Sequence, residues 1–248
     1  MSNKSNTITF VLREKEDAFL NSEYLKEKGI LVEPLPIVSL VYYEPNAFEV
    51  KFDYFVLTSP KAINPLTNFL KNNQHNLSNT IKFFTVGLET KEKLEKTLYK
   101  NIFQADGNSQ SLMQLIINNT LPHEQGLWVA AKDRSFNLQE ALRINNRKLE
   151  IYEAYKMFPI EVIDKDTIDS LIHAVYCNLV ILSSRNLLIT KNLLKKYDLF
   201  KKINSKSIVF VNSDNVAKKA KTLGWNRIEV IKKNFTKDIL NHIVEITK

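Results

Sequence analysis

The sequence predicts an α/β protein built on parallel sheets, and three observations predict it. Short apolar, β-rich runs alternate with segments of helical period. The runs are apolar throughout, which suits strands of a parallel sheet covered on both faces. Two stretches of the chain also overlay at one offset: 55–61 lies over 180–186 and 83–87 over 208–212, carrying Ser59 onto Ser184 and Phe83 onto Ile208, 125 residues on in both cases. A constant offset across two strand–turn–helix units implies two structurally related domains.

The elements follow in order. Ile8-Thr9-Phe10-Val11-Leu12 reads as a strand. Residues 17–28 read as a helix with Phe19, Leu20, Tyr24 and Leu25 on one apolar face. Gly29 sits where a helix ends, and Ile30-Leu31-Val32 closes a βαβ unit. Further strands are expected at 54–57, 82–86, 102–105, 127–130, 179–182, 208–211 and 228–231, with helices between. Pro65 falls inside the helix expected after Ser59, which delays its start to a cap at Asn64. Residues 191–202, with Leu193, Leu194, Tyr197 and Phe200 at helical spacing, read as one solvated amphipathic helix.

Pro34 and Pro36 interrupt one extended segment and Pro159 follows another. The first precedes the central copy and the second follows it, so the central copy reads as an insertion. The domain limits are 1–35 with 158–248, and 36–157. Tyr152 and Tyr155 sit in the second extended segment. Strand alternation places positions three apart on opposite faces, so one of the two at most should face a ligand.

Composition narrows the function classes. The chain has 248 residues, 44% hydrophobic and 25% charged, enough for a core and against extensive disorder. The net charge of +8 suggests an anionic partner. Its lysines are spread along the chain, however, against a nucleic-acid stripe. The single cysteine, Cys177, lies in an apolar run and reads as a buried residue of a protein in a reducing compartment. No apolar run is long enough to span a bilayer, and the first residues lack a signal-peptide core, so a cytoplasmic protein without a membrane partner is expected. Nothing in the sequence points to an oligomer, and a monomer is expected.

Ligands of open parallel sheets bind beyond the carboxyl ends of the strands. Arg13 stands there, as do Thr58, Ser59 and Lys61, Gly87, Lys132, Arg134 and Ser135, Ser183, Ser184 and Arg185, and Asn212, Ser213 and Asn215. Hydroxyls, amides and small residues at these turns either cap the next helix or leave backbone N–H groups to bind carboxylates and phosphates. As a set they imply an anion-binding cleft between two domains. Phosphate-loop glycine motifs, HExxH, CxxC and GxSxG are absent. His75, His123, His173 and His242 are scattered, which argues against a metal site. Without an evident base, Ser59 and Ser184 read as hydrogen-bond donors and not as nucleophiles. Trp128, Phe83 and Phe84 read as core.

The order of these motifs resembles the uroporphyrinogen-III synthase family over nearly the whole chain. Val11-Leu12-Arg13, Gly29 and Pro34-Leu35-Pro36-Ile37 are similar to its opening strand, helix and "P-x-I" segment. Leu57-Thr58-Ser59-Pro60-Lys61-Ala62 resembles its "TSPRA" turn, and Thr85-Val86-Gly87-Leu88-Glu89-Thr90 its "VGxxT" turn. Tyr155, four residues before Pro159, matches "YxxxP", and Leu182-Ser183-Ser184 resembles a second "TSP" turn. The chain departs from the family at Asn146, at Arg185 and at residues 212–215, where "GPTT" is usual.

The resemblance implies two α/β domains joined by a two-stranded antiparallel ladder, with the N-terminal residues packing in the C-terminal half. It implies a lyase that closes hydroxymethylbilane, a linear tetrapyrrole, into uroporphyrinogen III with loss of water and inversion of ring D. It implies no cofactor and no metal. The turns would bind the acetate and propionate arms, and Tyr155 is the position matching the tyrosine that assists loss of the hydroxyl. Two other readings are an inactive tetrapyrrole-binding relative, motivated by residues 212–215, and a nucleic-acid binder, motivated by net charge alone.

Overall fold

A computed structural model describes every residue except 1–6, 46, 47, 49, 73–79, 98, 106–108, 135, 234 and 248. Ser135 and His75 therefore lie outside the described residues. The chain begins with β1 (Thr7–Val11), α1 (Lys15–Glu27), β2 (Val32–Pro34) and β3 (Val38–Tyr42). Next come β4 (Tyr54–Leu57), a tight turn at Pro60–Ala62, α2 (Ile63–Asn72), β5 (Lys82–Val86), α3 (Leu88–Glu95) and β6 (Ile102–Ala105). Then follow α4 (Ser109–Asn119), β7 (Gln125–Ala131), α5 (Leu138–Ile144) and β8 (Lys148–Pro159). The remainder is α6 (Lys165–His173), β9 (Tyr176–Val180), α7 (Ser184–Lys196), α8 (Phe200–Lys206), β10 (Ser207–Val211), α9 (Asp214–Thr222), β11 (Ile228–Val230) and α10 (Thr236–Thr247).

These elements gather into two compact units, Met1–Leu40 with Met157–Lys248, and Val41–Lys156. In the first, the sheet order is β11-β10-β9-β1-β2, all parallel. Alternate strand residues go to opposite faces. Phe10, Leu12, Leu179, Ile181, Val209 and Val211 pack with Leu171, Leu187, Ile203 and Ala220 of α6 to α9. Val11, Val180 and Phe210 pack instead with Leu25 of α1 and Ile239 and Ile243 of α10. Pro34 is tolerated because β2 is an edge strand. Gly29, at φ +80°, supplies the left-handed residue that ends α1.

In the second unit, five parallel strands run in the order β8-β7-β4-β5-β6. One face sets Tyr54, Val56, Phe84, Trp128 and Ala130 against Leu112 and Ile116 of α4 and Leu138 and Leu142 of α5. The other face carries a run of rings: Phe55 stacks on Phe83 at 5.6 Å, and Phe83 on Tyr99 at 4.8 Å. Phe55 also meets Phe69 of α2 edge-on at 6.4 Å. β3 adds to this sheet beside β8. Tyr43 N–H donates to the Ala154 carbonyl and Ile160 N–H to that of Ile37, both at 2.9 Å, so the two segments run in opposite directions.

The two sheets share one pattern. Reading β2-β1-β9-β10-β11 against β8-β7-β4-β5-β6 matches five strands in the same order and direction. β5 and β10 correspond residue for residue at the 125-residue offset. The offset slips by one at the turn after β9, where Ser183, and not Ser184, is the helix cap.

Three local expectations are corrected. The buried face of α1 is Ala18, Ser22 and Leu25, while Phe19 and Leu20 are 46% and 57% exposed. Small residues let this helix lie close to its sheet, and the larger apolar pair is turned away. Residues 191–202 form two helices, broken at Asp198 with φ +56°. Pro65 does not delay α2, which begins at Ile63, because the third residue of a helix needs no intrahelical N–H bond.

Candidate functional site

The carboxyl end of β4 turns sharply at Thr58 and Ser59. Ser59 is extended at φ −158°, and its Oγ accepts the Lys61 N–H at 3.3 Å, capping the Pro60–Ala62 turn. Pro60 supplies the first turn residue, where a missing N–H costs nothing.

β8 brings Tyr155 to this turn through a bulge. Glu153 stands opposite Ala130 and Tyr155 opposite Ala131, so Ala154 has no partner on β7. The extra residue reverses the alternation, and Tyr152, opposite Val129, shares a face with Tyr155. The expectation that the two tyrosines point to opposite faces is thereby overturned. Lys132 N–H donates to the Tyr155 carbonyl at 2.7 Å just past the bulge and holds it in place.

The two hydroxyls are in different circumstances. The Tyr152 hydroxyl donates to the Tyr43 carbonyl at 2.7 Å, and its ring lies 6.1 Å from that of Phe69. Its proton is committed to the fold. The Tyr155 side chain is buried, with the Ser59 hydroxyl and the Lys61 charge near enough to act on its phenol. Burial pushes its pKa above the ordinary tyrosine value, and Ser59 and Lys61 pull in the other direction without cancelling that effect. The phenol is protonated at neutral pH. Tyr42, which sequence reasoning missed, meets its ring edge-on at 6.4 Å. The signal for Tyr42 was available only from the pairing of the two extended segments.

The other residues of this unit lie at the same ends of its strands. Gly87 caps α3 at φ +79°, a conformation that disfavours any side chain. Lys132 and Arg134 line a groove of about 380 Å³ with Tyr43, Glu44, Ile151, Tyr152 and Glu153. Lys132 Nζ stands 5.8 Å from the Tyr43 ring centre. Arg134 is held by Glu153 at 2.9 Å and the Ala131 carbonyl at 2.6 Å, and lies over the Trp128 ring.

In the first unit, Arg13 is paired with Asp17 at 3.2 Å and donates to Thr236 Oγ1 at 3.4 Å. Ser183 caps α7, accepting the Asn186 N–H at 3.1 Å, and Ser184 is the first residue of that helix. Asn186 Nδ2 donates to the Leu12 carbonyl at 3.4 Å, tying the end of β1 to the start of α7. Arg185 donates to the Met157 carbonyl at 2.7 Å. Ser213 caps α9 through the Val216 N–H at 3.4 Å, and Asn215 is exposed in the first turn. Asn212 is half-buried, and its buried Oδ1 has no hydrogen-bond partner among the described residues.

Cys177 is buried, and burial pushes its thiol up to about 11, which suits packing and not nucleophilic chemistry. Among the described residues no group of three or more His, Cys, Asp or Glu could hold a metal ion. No helix among them is long and apolar enough to cross a membrane.

Comparison with known proteins agrees with this arrangement. The solved uroporphyrinogen-III synthetase of Helicobacter pylori superposes with a TM-score of 0.62 at 14% identity, over 97% of this chain and 99% of that one. A mutant uroporphyrinogen III synthase of the extremely thermophilic bacterium Thermus thermophilus gives 0.55 at 13% identity, over 96% and 100%. At such identities the likeness speaks for the fold. No curated protein matches the sequence. The sequence profile of the family described as uroporphyrinogen-III synthase HemD matches residues 21–241. That match spans most of the chain, which therefore belongs to the uroporphyrinogen-III synthase family.

Proposed function

We propose that the protein is a uroporphyrinogen-III synthase, a lyase that closes hydroxymethylbilane to uroporphyrinogen III with loss of water and inversion of ring D. The observation that carries this reading is the placement of Tyr155 on the Ser59–Lys61 turn, with the neighbouring Tyr152 proton already spent on the Tyr43 carbonyl.

The chemistry assigned to these groups balances. The Tyr155 phenol gives its proton to the departing hydroxyl, which leaves as water while the pyrrole nitrogen pushes out the C–O bond. The resulting azafulvenium is attacked by the substituted carbon of the far ring, giving a spiro intermediate; the original methylene bond to that carbon then breaks, and the methylene rejoins the ring at its unsubstituted carbon. The ring proton lost on rearomatisation returns to the phenolate. Unaided closure uses the unsubstituted position, so holding the chain in one fold is most of the catalysis.

The carboxylate arms are assigned to Arg13, Thr58, Ser59, Lys61, Gly87, Lys132, Arg134, Ser183, Ser184, Arg185, Asn212, Ser213 and Asn215. Helix N-termini and cations suit such arms. The shared strand order of the two sheets supports reading them as related domains, 1–35 with 158–248 and 36–157, with β3 and β8 as the antiparallel connector. A cytoplasmic monomer acting without a cofactor completes the reading.

The test is to supply purified protein with fresh hydroxymethylbilane and separate the oxidised products by isomer. A dominant type III product supports the cyclase. Type I alone, at the spontaneous rate, refutes it. One observation favours a second reading, a binder without isomer control: the partnerless Asn212 Oδ1 in a turn that departs from the family. Tetrapyrrole binding together with type I product would favour it.

A further inference from the structure

We propose that the second unit holds one pyrrole ring of the substrate astride a wall formed by Tyr43 and Tyr152, with the ring in an asparagine-lined pocket on one side and its carboxylate arm on Lys132 on the other. The inference rests on the proposed substrate and gives one of its rings a subsite.

The fold fixes the wall. The Tyr152 hydroxyl donates to the Tyr43 carbonyl at 2.7 Å. Tyr43, Glu44 and Tyr152 line the groove that holds Lys132 and Arg134, and the same three line a second pocket of about 230 Å³. The two sides differ in chemistry. No Lys or Arg among the described residues lines the second pocket. Asn64, Asn68 and Asn72 of α2 line it instead, with Tyr42 and Phe69.

This lining suits a ring and not an arm. The three asparagines are four residues apart, so they share one face of α2, and all three are exposed. A pyrrole offers one N–H donor and a π face. An asparagine oxygen accepts such a donor. Tyr42 is 45% exposed, which leaves ring surface for an aromatic neighbour. Glu44 repels a carboxylate. Pockets for a whole drug-sized molecule run to about 300–1,000 Å³, so this one suits a single ring. It also adjoins the assigned acid, because Tyr42 meets the Tyr155 ring edge-on at 6.4 Å.

Across the wall, Arg134 is held by Glu153 at 2.9 Å, so the arm of this ring falls to Lys132. Lys132 Nζ stands 5.8 Å from the Tyr43 ring centre, against the wall itself. α2 starts just past the carboxyl end of β4, which puts Asn64 and Asn68 nearer to Tyr155 than Asn72 is.

The test uses two probes, a monopyrrole bearing one acetate and one propionate arm and its N-methyl derivative, titrated by NMR. Wild type should bind the N-methyl probe about 3- to 10-fold more weakly, the size of one neutral hydrogen bond. A variant carrying Asn64→Ala and Asn68→Ala should bind both probes alike, at the weaker value. Ala is the better helix former at exposed positions, so α2 is not put at risk. Lys132→Gln should weaken both probes by about 5- to 30-fold and keep the difference between them. With hydroxymethylbilane, the asparagine variant should raise KM by about 3- to 10-fold with kcat within twofold, as loss of a contact kept through the reaction does.

Equal binding of the two probes by wild type, or an asparagine variant that still tells them apart, would overturn the subsite and leave the cyclase reading standing if the product is type III. Type I product alone from wild type, with the probe differences present, would refute the cyclase and support the pocket as the ring site of a binder.

Discussion

Tyr152 and Tyr155 lie on one face of β8, although a spacing of three along a regular strand would separate them. Tyr152 stands opposite Val129 and Tyr155 opposite Ala131, two positions apart on β7, because Ala154 is left out of the ladder. The bulge thus packs one tyrosine on Phe69 and delivers the other to the Ser59 turn.

From this follows the first prediction. Tyr155→Phe removes the proton and keeps the ring, so turnover of hydroxymethylbilane should fall by about 10²–10⁴-fold, the usual worth of a general acid. Its thermal midpoint should stay within a few degrees of wild type. Tyr152→Phe should do the reverse, costing about 1 kcal/mol for the lost bond to the Tyr43 carbonyl and leaving the rate within a few-fold. Steady-state rates and denaturant unfolding of both variants decide the assignment.

A second prediction concerns packing. A Cβ on Gly126 would sit 2.2 Å from ring atoms of Tyr54, which is fully buried with its hydroxyl donating to the Lys148 carbonyl at 2.7 Å. Gly126→Ala should destabilise the second unit by about 1–3 kcal/mol, the range for overpacking. An unfolding midpoint equal to wild type would show that Tyr54 can move aside at no cost.

A third concerns the turn before α3. Gly87 has φ +79° with open space where a side chain would go, so the cost of a substitution is backbone strain alone. Gly87→Ala should cost about 1–2 kcal/mol. Gly87→Asn, which tolerates the left-handed region better, should cost less; equal losses for Ala and Asn would point to some other cause.

A fourth concerns pH. Burial raises the Cys177 thiol from 9.0 to about 11, and it raises the Tyr54 and Tyr155 phenols as well. The folded state then holds these protons more tightly than the unfolded chain. Stability is full below the unfolded values and is lost as pH rises through the folded ones, so the unfolding midpoint should fall between about pH 9 and 11. Cys177→Ala should make that decline shallower. A midpoint independent of pH across this window would contradict the burial argument.

The strands were legible because their short runs are apolar throughout: the expected bounds 54–57, 82–86 and 102–105 are those observed, and 208–211 differs by one residue. The position of the turns was legible because a parallel sheet sets all the turns after its strands at one edge. What was not legible depends on partners distant in sequence. The bulge at Ala154 is a property of β7 and β8 together, and no pattern within β8 announces it. Arg13 and Arg134 were legible as cations after their strands, but their pairing with Asp17 and Glu153 was not. Phe19 and Leu20 read as core because of their apolarity, but Ala18 and Ser22 face the sheet. The cap of α7 is Ser183 and not Ser184, the residue overlaid on Ser59, since the turn after β9 is one residue out of step with that after β4.

The most direct measurement of the central claim is a single-turnover reaction with protein in excess over hydroxymethylbilane, quenched in time and resolved by isomer. Excess protein outruns spontaneous closure, so the isomer ratio reports the bound chain alone. The account predicts type III product throughout, formed well above the spontaneous rate, and a slower approach to the same isomer in Tyr155→Phe. Type I product at the spontaneous rate from wild-type protein would contradict it.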